Sequence, residues 1–250
     1  HVRVAGEQDV KFAILAGGNA SKAKEINQQG IRTYLHTPYL SSLRQALSID
    51  VNEVIFEGTD AGGHIGSLSS LVLWELGIET ILNTTIDKQK EMTIIFAGGV
   101  GSSAGSHFIS GLSSFLSKRG IKIGISVGTA YLFTDEIIET KAMSESYRDL
   151  MIRYNETFVV GKTINLNTRT IKTPFSEKIV QNEWQRLNDK KSLTERKELY
   201  EIDNFGAHLI ASKGLKLDKE KFTLDPLNAE QQYESGNYCT GNVIALYSQK

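Results

Sequence analysis

The chain has 250 residues, 40% of them hydrophobic, and a formal net charge of -1. That length suits one sizeable domain, and the charge balance leaves no basic footprint with which to hold nucleic acid. Its apolar runs are short, none near the roughly 18 to 20 consecutive residues a membrane span needs, and its single cysteine, Cys239, allows no internal disulfide. The charged start (Arg3, Glu7, Asp9) lacks a signal-peptide core, so the expected setting is cytoplasmic, away from membranes.

Five short apolar runs end in glycine or polar turn residues: KFAILAGG from Lys11, IRTYLH from Ile31, EVIFEG from Glu53, TIIFAGGV from Thr93 and IGISVGT from Ile123. Apolar on both faces, they read as buried parallel strands. Helical spacing fills the gaps. In NASKAKEINQQG, Asn19 is the expected cap, Ala20, Ala23 and Ile26 share a face, and Gly30 supplies the left-handed stop. SSAGSHFISGLSSFLSKRG repeats the plan, with Phe108, Leu112, Phe115 and Leu116 as the expected buried stripe and Gly120 at its end. Strand and helix alternating every 20 to 40 residues or so means βα units on a parallel sheet, either barrel or open. After about Ile137 the texture changes. EIIETKAMSESYRDLMIRYNETF reads as a helix running into a strand, and residues 176–234 are charged and mostly helical, the pattern of a solvated cap. The expected division is therefore 1–137 for the βα part and 138–250 for the helical cap and C-terminal segment.

AGGVGSSAG follows the fourth strand and opens a helix. Glycines there let an anion approach backbone N–H groups at the positive end of the helix. A dinucleotide site of the Rossmann kind also needs a carboxylate at the end of the next strand, but none occurs before Asp135. A phosphate site shared by two successive loops, AGG and VGT, fits better, as in the last loops of a TIM barrel. Tight βα turns account for Gly98, Gly99 and Gly128 equally well.

VIFEGTDAGGHIG places His64 after the third strand, at the end of a parallel sheet where ligands gather. Gly58, Gly62 and Gly63 would let a flat ligand lie against backbone, and an imidazole titrating near neutrality suits proton transfer beside it. His1, His36, His107 and His208 lack such neighbours and read as structural.

FEGTDAGGHIG resembles the signature loop of the nitronate monooxygenase and 2-nitropropane dioxygenase flavoproteins, a family that includes FMN-dependent enoyl reductases of fatty-acid and polyketide synthesis. IIFAGGVGS and GISVGTAYLFTDE follow in that family's order, NTRTIKTPF resembles the segment after its barrel, and ESGNYCTGNVIAL is a weaker echo. The resemblance implies an α/β fold, a TIM (β/α)8-type barrel of which the C-terminal five or so βα units are present, with FMN at the strand ends. It assigns Gly98, Gly99, Gly128 and Thr129 to the FMN phosphate, Ala61, Gly62 and Gly63 to the border of the flavin, and His64 to catalysis, with no metal. Asp60 stands where glutamate is usual, and Ser126 where many members have a glutamine on the cofactor. With five strands counted and a first residue other than Met, the family's N-terminal strands are expected upstream of His1, in a larger enzyme such as a polyketide synthase, or lost from a degraded barrel. The implied activity is NAD(P)H-dependent reduction of an enoyl thioester, a small molecule or one borne on an acyl carrier protein. Oxidation of alkyl nitronates by O2 is the alternative, and a non-catalytic remnant with a docking role is the third.

Overall fold

The computed structural model describes residues 2–17, 19–218 and 220–248, so the reading of His1 lies outside the described residues. Its strands are β1 (Phe12–Leu15), β2 (Arg32–His36), β3 (Glu53–Glu57), β4 (Gly63–His64), β5 (Thr93–Ala97), β6 (Lys122–Ser126), β7 (Thr157–Val160), β8 (Thr168–Ile171), β9 (Leu215–Asp218) and β10 (Thr223–Pro226). Chain contacts divide the molecule into two compact units, His1–Asp60 with Gly66–Val127, and Ala61–Ile65 with Gly128–Lys250.

The first unit is a parallel sheet in the order β1-β2-β3-β5-β6. These are the five apolar runs of the sequence, in register from Phe12↔Arg32 to Ala97↔Ser126. Period-2 alternation sends Leu35, Val54, Phe56, Ile94 and Phe96 to one face, where they are buried with helix residues Leu43, Leu73, Ile81, Ile109 and Leu116. Each such side chain contributes about 1.5–3 kcal/mol on burial. Phe96 is the hub of this core, meeting the rings of Phe56 and Trp74 edge-on at 5.8 and 5.6 Å. β1 and β6 are the edges of the sheet, and on β1 Phe12 and Ile14 stay exposed. This is a mixed α/β architecture with five strands of a partial barrel.

Local chemistry sets the helix ends. The Asn19 side chain accepts from the Lys22 N–H at 2.9 Å to open helix Ala20–Asn27, and Gly30 takes φ +80° beyond it. Helix Ser103–Ser117 agrees with the sequence reading at Leu116, fully buried, and Leu112, packed against the core, and departs from it at Phe108 and Phe115, which face solvent while Ile109 and Ser113 are buried. The buried stripe is centred on Ile109, Ser113 and Leu116, so the two rings lie beyond its edge, and ring size does not decide which face is buried.

The second unit centres on an antiparallel sheet in the order β4-β8-β7. The helix-into-strand reading corresponds to helix Glu145–Arg153 and β7. Helices Pro174–Asn188, Leu193–Asn204, Ala207–Lys213 and Ala229–Ser235 fill most of 176–234, but the hairpin β9–β10 interrupts them. Gly214 at φ +65° stops the preceding helix, and the alternation of Leu215 with Leu217 takes over. One core gathers Tyr147, Met151, Ile171, Tyr238 and Ile244, and another Val160, Ile164, Ile179 and Tyr200. Among the described residues, no helix is long and apolar enough to cross a membrane.

Candidate functional site

The glycine–histidine loop crosses from one unit to the other. Its first half, Gly58 to Asp60, stays with the parallel sheet. Gly58 is buried so closely that an added Cβ would lie 2.3 Å from the Ser70 Cα, and no side chain fits there. Asp60 accepts from the Ser70 N–H at 2.9 Å, placing a carboxylate at the positive end of helix Ser70–Leu82. The same carboxylate side chain abuts the next loop, for a Cβ on Gly99 would come 3.2 Å from the Asp60 Cβ. Gly98 and Gly99 take φ +89° and +78°, a pair of left-handed residues that only glycine adopts cheaply. Ser102 then caps helix Ser103–Ser117, its hydroxyl oxygen accepting from the Gly105 N–H at 3.2 Å.

On the opposite face of the sheet from the apolar core, β2 and β3 carry an ion pair and a histidine–carboxylate contact. Near the start of the strands, Arg32 donates through Nε to Glu53 at 2.8 Å and through Nη2 to the Thr93 hydroxyl at 3.0 Å. At their C-terminal ends the His36 Nδ1 is in short contact with the Glu57 carboxylate, both side chains part-buried.

In the second unit, the loop's other half forms β4, pairing Gly63 with Arg169 and His64 with Thr168, and Ile65 continues the ladder by donating to the Asn167 carbonyl at 2.9 Å. Gly62 is pressed against the C-terminal segment, where an added Cβ would lie 2.6 Å from the Thr240 carbonyl carbon. Gly63, at φ +78°, has nothing within 4 Å on its Cβ side, and the His64 side chain beside it is exposed. Ala61 is buried. Gly128 also has open space on its Cβ side, whereas Thr129 is buried with its hydroxyl oxygen accepting from the Gly241 N–H at 2.9 Å. Of the assigned residues, the structure thus holds Gly98 and Gly99 in one unit and Ala61, Gly62, Gly63, His64, Gly128 and Thr129 in the other.

One residue that the sequence reading took as structural, His208, feels His64, and Cys239 stands beside it. Burial lowers the pKa of His208, a backbone hydrogen bond with Asn237 opposes this, and the proximity of His64 lowers it a little further. The Cys239 Sγ is 4.0 Å from the His208 Nδ1, and burial pushes this thiol up to about 12, so it stays protonated at neutrality. Cys239 is tied down by an antiparallel bridge to Thr170 and by the Tyr147 hydroxyl, which donates to its carbonyl at 2.8 Å. Only the motif-like ESGNYCTGNVIAL hinted at this in the sequence. Among the described residues, no group of three or more His, Cys, Asp or Glu is arranged to hold a metal ion.

No protein-family profile matches the chain, and no curated protein sequence does. Solved structures do. FabK from Thermotoga maritima superposes with a TM-score of 0.67 at 20% identity over 100% of this chain and 66% of its own. Its M276A mutant gives 0.63 at 19% identity, over 99% of this chain and 64% of the mutant's. Nitroalkane oxidase from Streptomyces ansochromogenes gives 0.58 at 13%, over 99% of this chain and 62% of its own. The chain therefore spans just under two thirds of the length of these structures. At such identities the likeness establishes the fold, that of part of a FabK-type TIM barrel, and it agrees with the flavoprotein resemblance carried by the glycine–histidine loop.

Proposed function

We propose that the chain is part of an FMN-dependent oxidoreductase that reduces enoyl thioesters at the expense of NAD(P)H, in a cytoplasmic setting. The observation that carries this reading is the pairing of an exposed His64 with the bare backbone of Gly63, in a loop that resembles the family's signature and in a chain with the family's fold. The residues present suit a flat anionic cofactor: open space on the Cβ side of Gly63 and Gly128 leaves backbone uncovered, and Gly98 and Gly99 hold conformations that turn it outward. By the resemblance, Gly98, Gly99, Gly128 and Thr129 would hold the phosphate, and Ala61, Gly62 and Gly63 would border the ring. FMN, when bound, supplies hydride transfer between NAD(P)H and the enoyl β-carbon.

The protein's own part is orientation and proton traffic. β4, paired with β8, fixes the backbone from which the His64 imidazole projects. As negative charge develops on the thioester oxygen, the imidazole donates a hydrogen bond to it. The Thr129 hydroxyl, its oxygen engaged by Gly241, still has its proton to donate to a phosphate. An acyl thioester, free or on a carrier protein, is the proposed substrate. Oxidation of alkyl nitronates by O2, with His64 as base, is the second reading, favoured by the fold likeness to nitroalkane oxidase.

The test is a visible spectrum of the purified protein after reconstitution with FMN, followed by NAD(P)H oxidation with a crotonyl thioester and oxygen uptake with an alkyl nitronate. Bound flavin with turnover in the first assay supports the main reading. Turnover only with nitronate supports the second, and a protein that takes up no flavin overturns both in favour of a non-catalytic remnant.

A further inference from the structure

We propose that His36 and Glu57 form a second acid–base pair, in which the His36 imidazole delivers a proton to bound substrate through Nε2 while Glu57 positions it through Nδ1. Both are the last residues of adjacent parallel strands, β2 and β3, on the face opposite the helices. In parallel α/β folds this is the edge where ligands bind. Glu57 is in register with Ala97, the residue before the Gly98–Gly99 turn, so the pair lies one strand from the loop that the sequence reading gives to phosphate.

The backbone beneath is fixed. Thr37, fully buried, donates both its N–H, at 2.8 Å, and its hydroxyl, at 3.0 Å, to the Ile55 carbonyl, so His36 has no slack along the strand. The contrast with the Arg32–Glu53 ion pair on these strands separates a brace from a working pair. Arg32 is spent on Glu53 and Thr93, stays charged at every accessible pH and has no proton to give. A histidine held by a carboxylate at Nδ1 keeps Nε2 for a second partner, and the side chains of His36 and Glu57 are 21% and 17% exposed, partly desolvated yet open to solvent. The charged and titratable groups on this face are Glu57, in contact, Tyr34 two residues back along β2 under Arg32, Arg32 and Glu53, paired with each other farther down the same strands, and Lys122 at the start of β6, in register with Thr93.

This inference rests on the proposed reduction, which adds one hydride and one proton across a double bond and so requires a proton donor. The Nε2–H bond of imidazolium breaks, the proton joins the α-carbon of the substrate enolate as its C–H bond forms, and neutral His36 keeps its Nδ1–H on the Glu57 carboxylate. Solvent water then returns a proton to Nε2.

The experiment compares wild type, His36→Gln and Glu57→Gln, each loaded with FMN, with flavin content, thermal melt, kcat and KM for a crotonyl thioester followed across pH. His36→Gln should keep its flavin and melt normally while kcat falls by about 10²- to 10⁴-fold and the alkaline limb of kcat disappears. Glu57→Gln should keep its flavin and lower kcat by less than His36→Gln, since the amide oxygen can still accept the Nδ1–H. In the wild type, 15N NMR of His36 should report Nδ1–H and a Nε2 signal that moves when butyryl thioester, the product, is added, an observation that needs no variant. Flavin-replete His36→Gln with wild-type kcat and an unchanged limb overturns the pair alone, as does a Nε2 signal indifferent to product. A wild type that binds no flavin overturns the reduction itself, and the pair falls with it.

Discussion

The parallel sheet and the small antiparallel sheet that carries His64 are built from contacts of different reach. Each strand of the first pairs with strands one βα unit away along the chain, so its elements could be read off in order from local runs. β4, only two residues long, is held by Thr168 and Arg169 and by the close approach of Thr240 to Gly62, all more than a hundred residues downstream. The frame is thus locally encoded, whereas the histidine's support is encoded at a distance. Perturbing that distant support should therefore reach His64 without disturbing the parallel sheet.

The largest expected effect separates chemistry from support. His64→Ala should lower turnover per bound flavin by about 10²- to 10⁴-fold while leaving the flavin spectrum nearly unchanged, and undiminished turnover with both substrates would remove His64 from the mechanism. Next comes the seam itself. Gly62→Ala forces a methyl against the Thr240 backbone and should cost about 1–3 kcal/mol, read in urea unfolding. Gly58→Ala, the matched insult in the parallel-sheet unit against Ser70, should cost about as much; if Gly62→Ala proves neutral while Gly58→Ala does not, the long-range seam is not what holds the loop. Smaller still is Gly63→Ala, where the added methyl meets nothing but the φ of +78° disfavours it by about 1–2 kcal/mol. Its melting temperature should drop less than that of Gly62→Ala.

The smallest effect is a slope. Buried Glu183 accepts from the Gly161 N–H at 2.5 Å, yet burial outweighs this bond, those from Thr163 and Lys162, and Arg186, and holds its carboxyl above the usual range. The folded chain grips that proton more firmly than the unfolded chain does. This contribution to stability is present in acid and lost as pH rises through the raised value. Urea midpoints measured from acid to neutral pH should accordingly fall less steeply in Glu183→Gln than in wild type, and parallel slopes would show that Glu183 is not the group responsible.

What the sequence disclosed follows the same division. Strand runs, the Asn19 cap and the left-handed Gly30 and Gly120 are properties of a few adjacent residues, and they stand in the structure as read. Of the helix stripe, Leu112 and Leu116 stand as read, whereas Phe108 and Phe115 face out, because Phe108 and Ile109 are both apolar and only the sheet decides which faces inward. In the loop, glycine marks three different needs that look alike in sequence. Gly58 and Gly62 make room for neighbouring backbone, Gly63 supplies a left-handed turn, and only Gly63 leaves its backbone uncovered. Asp60, standing where the family it resembles usually has glutamate, accepts from the first N–H of helix Ser70–Leu82. His36 read as structural because its partner Glu57 lies 21 residues on, and His208 because Cys239 and His64 meet it only through the fold.

The two tryptophans give each unit its own optical signature. Trp74 is 5% exposed, edge-on to Phe96, with no hydrogen-bond partner for its indole N–H among the described residues, and its emission should be blue and shielded from iodide. Trp184 is 51% exposed on a helix of the other unit and should emit to the red and quench readily. With iodide silencing Trp184, the remaining fluorescence follows the parallel sheet alone, so its unfolding can be timed in the intact chain without label or mutation.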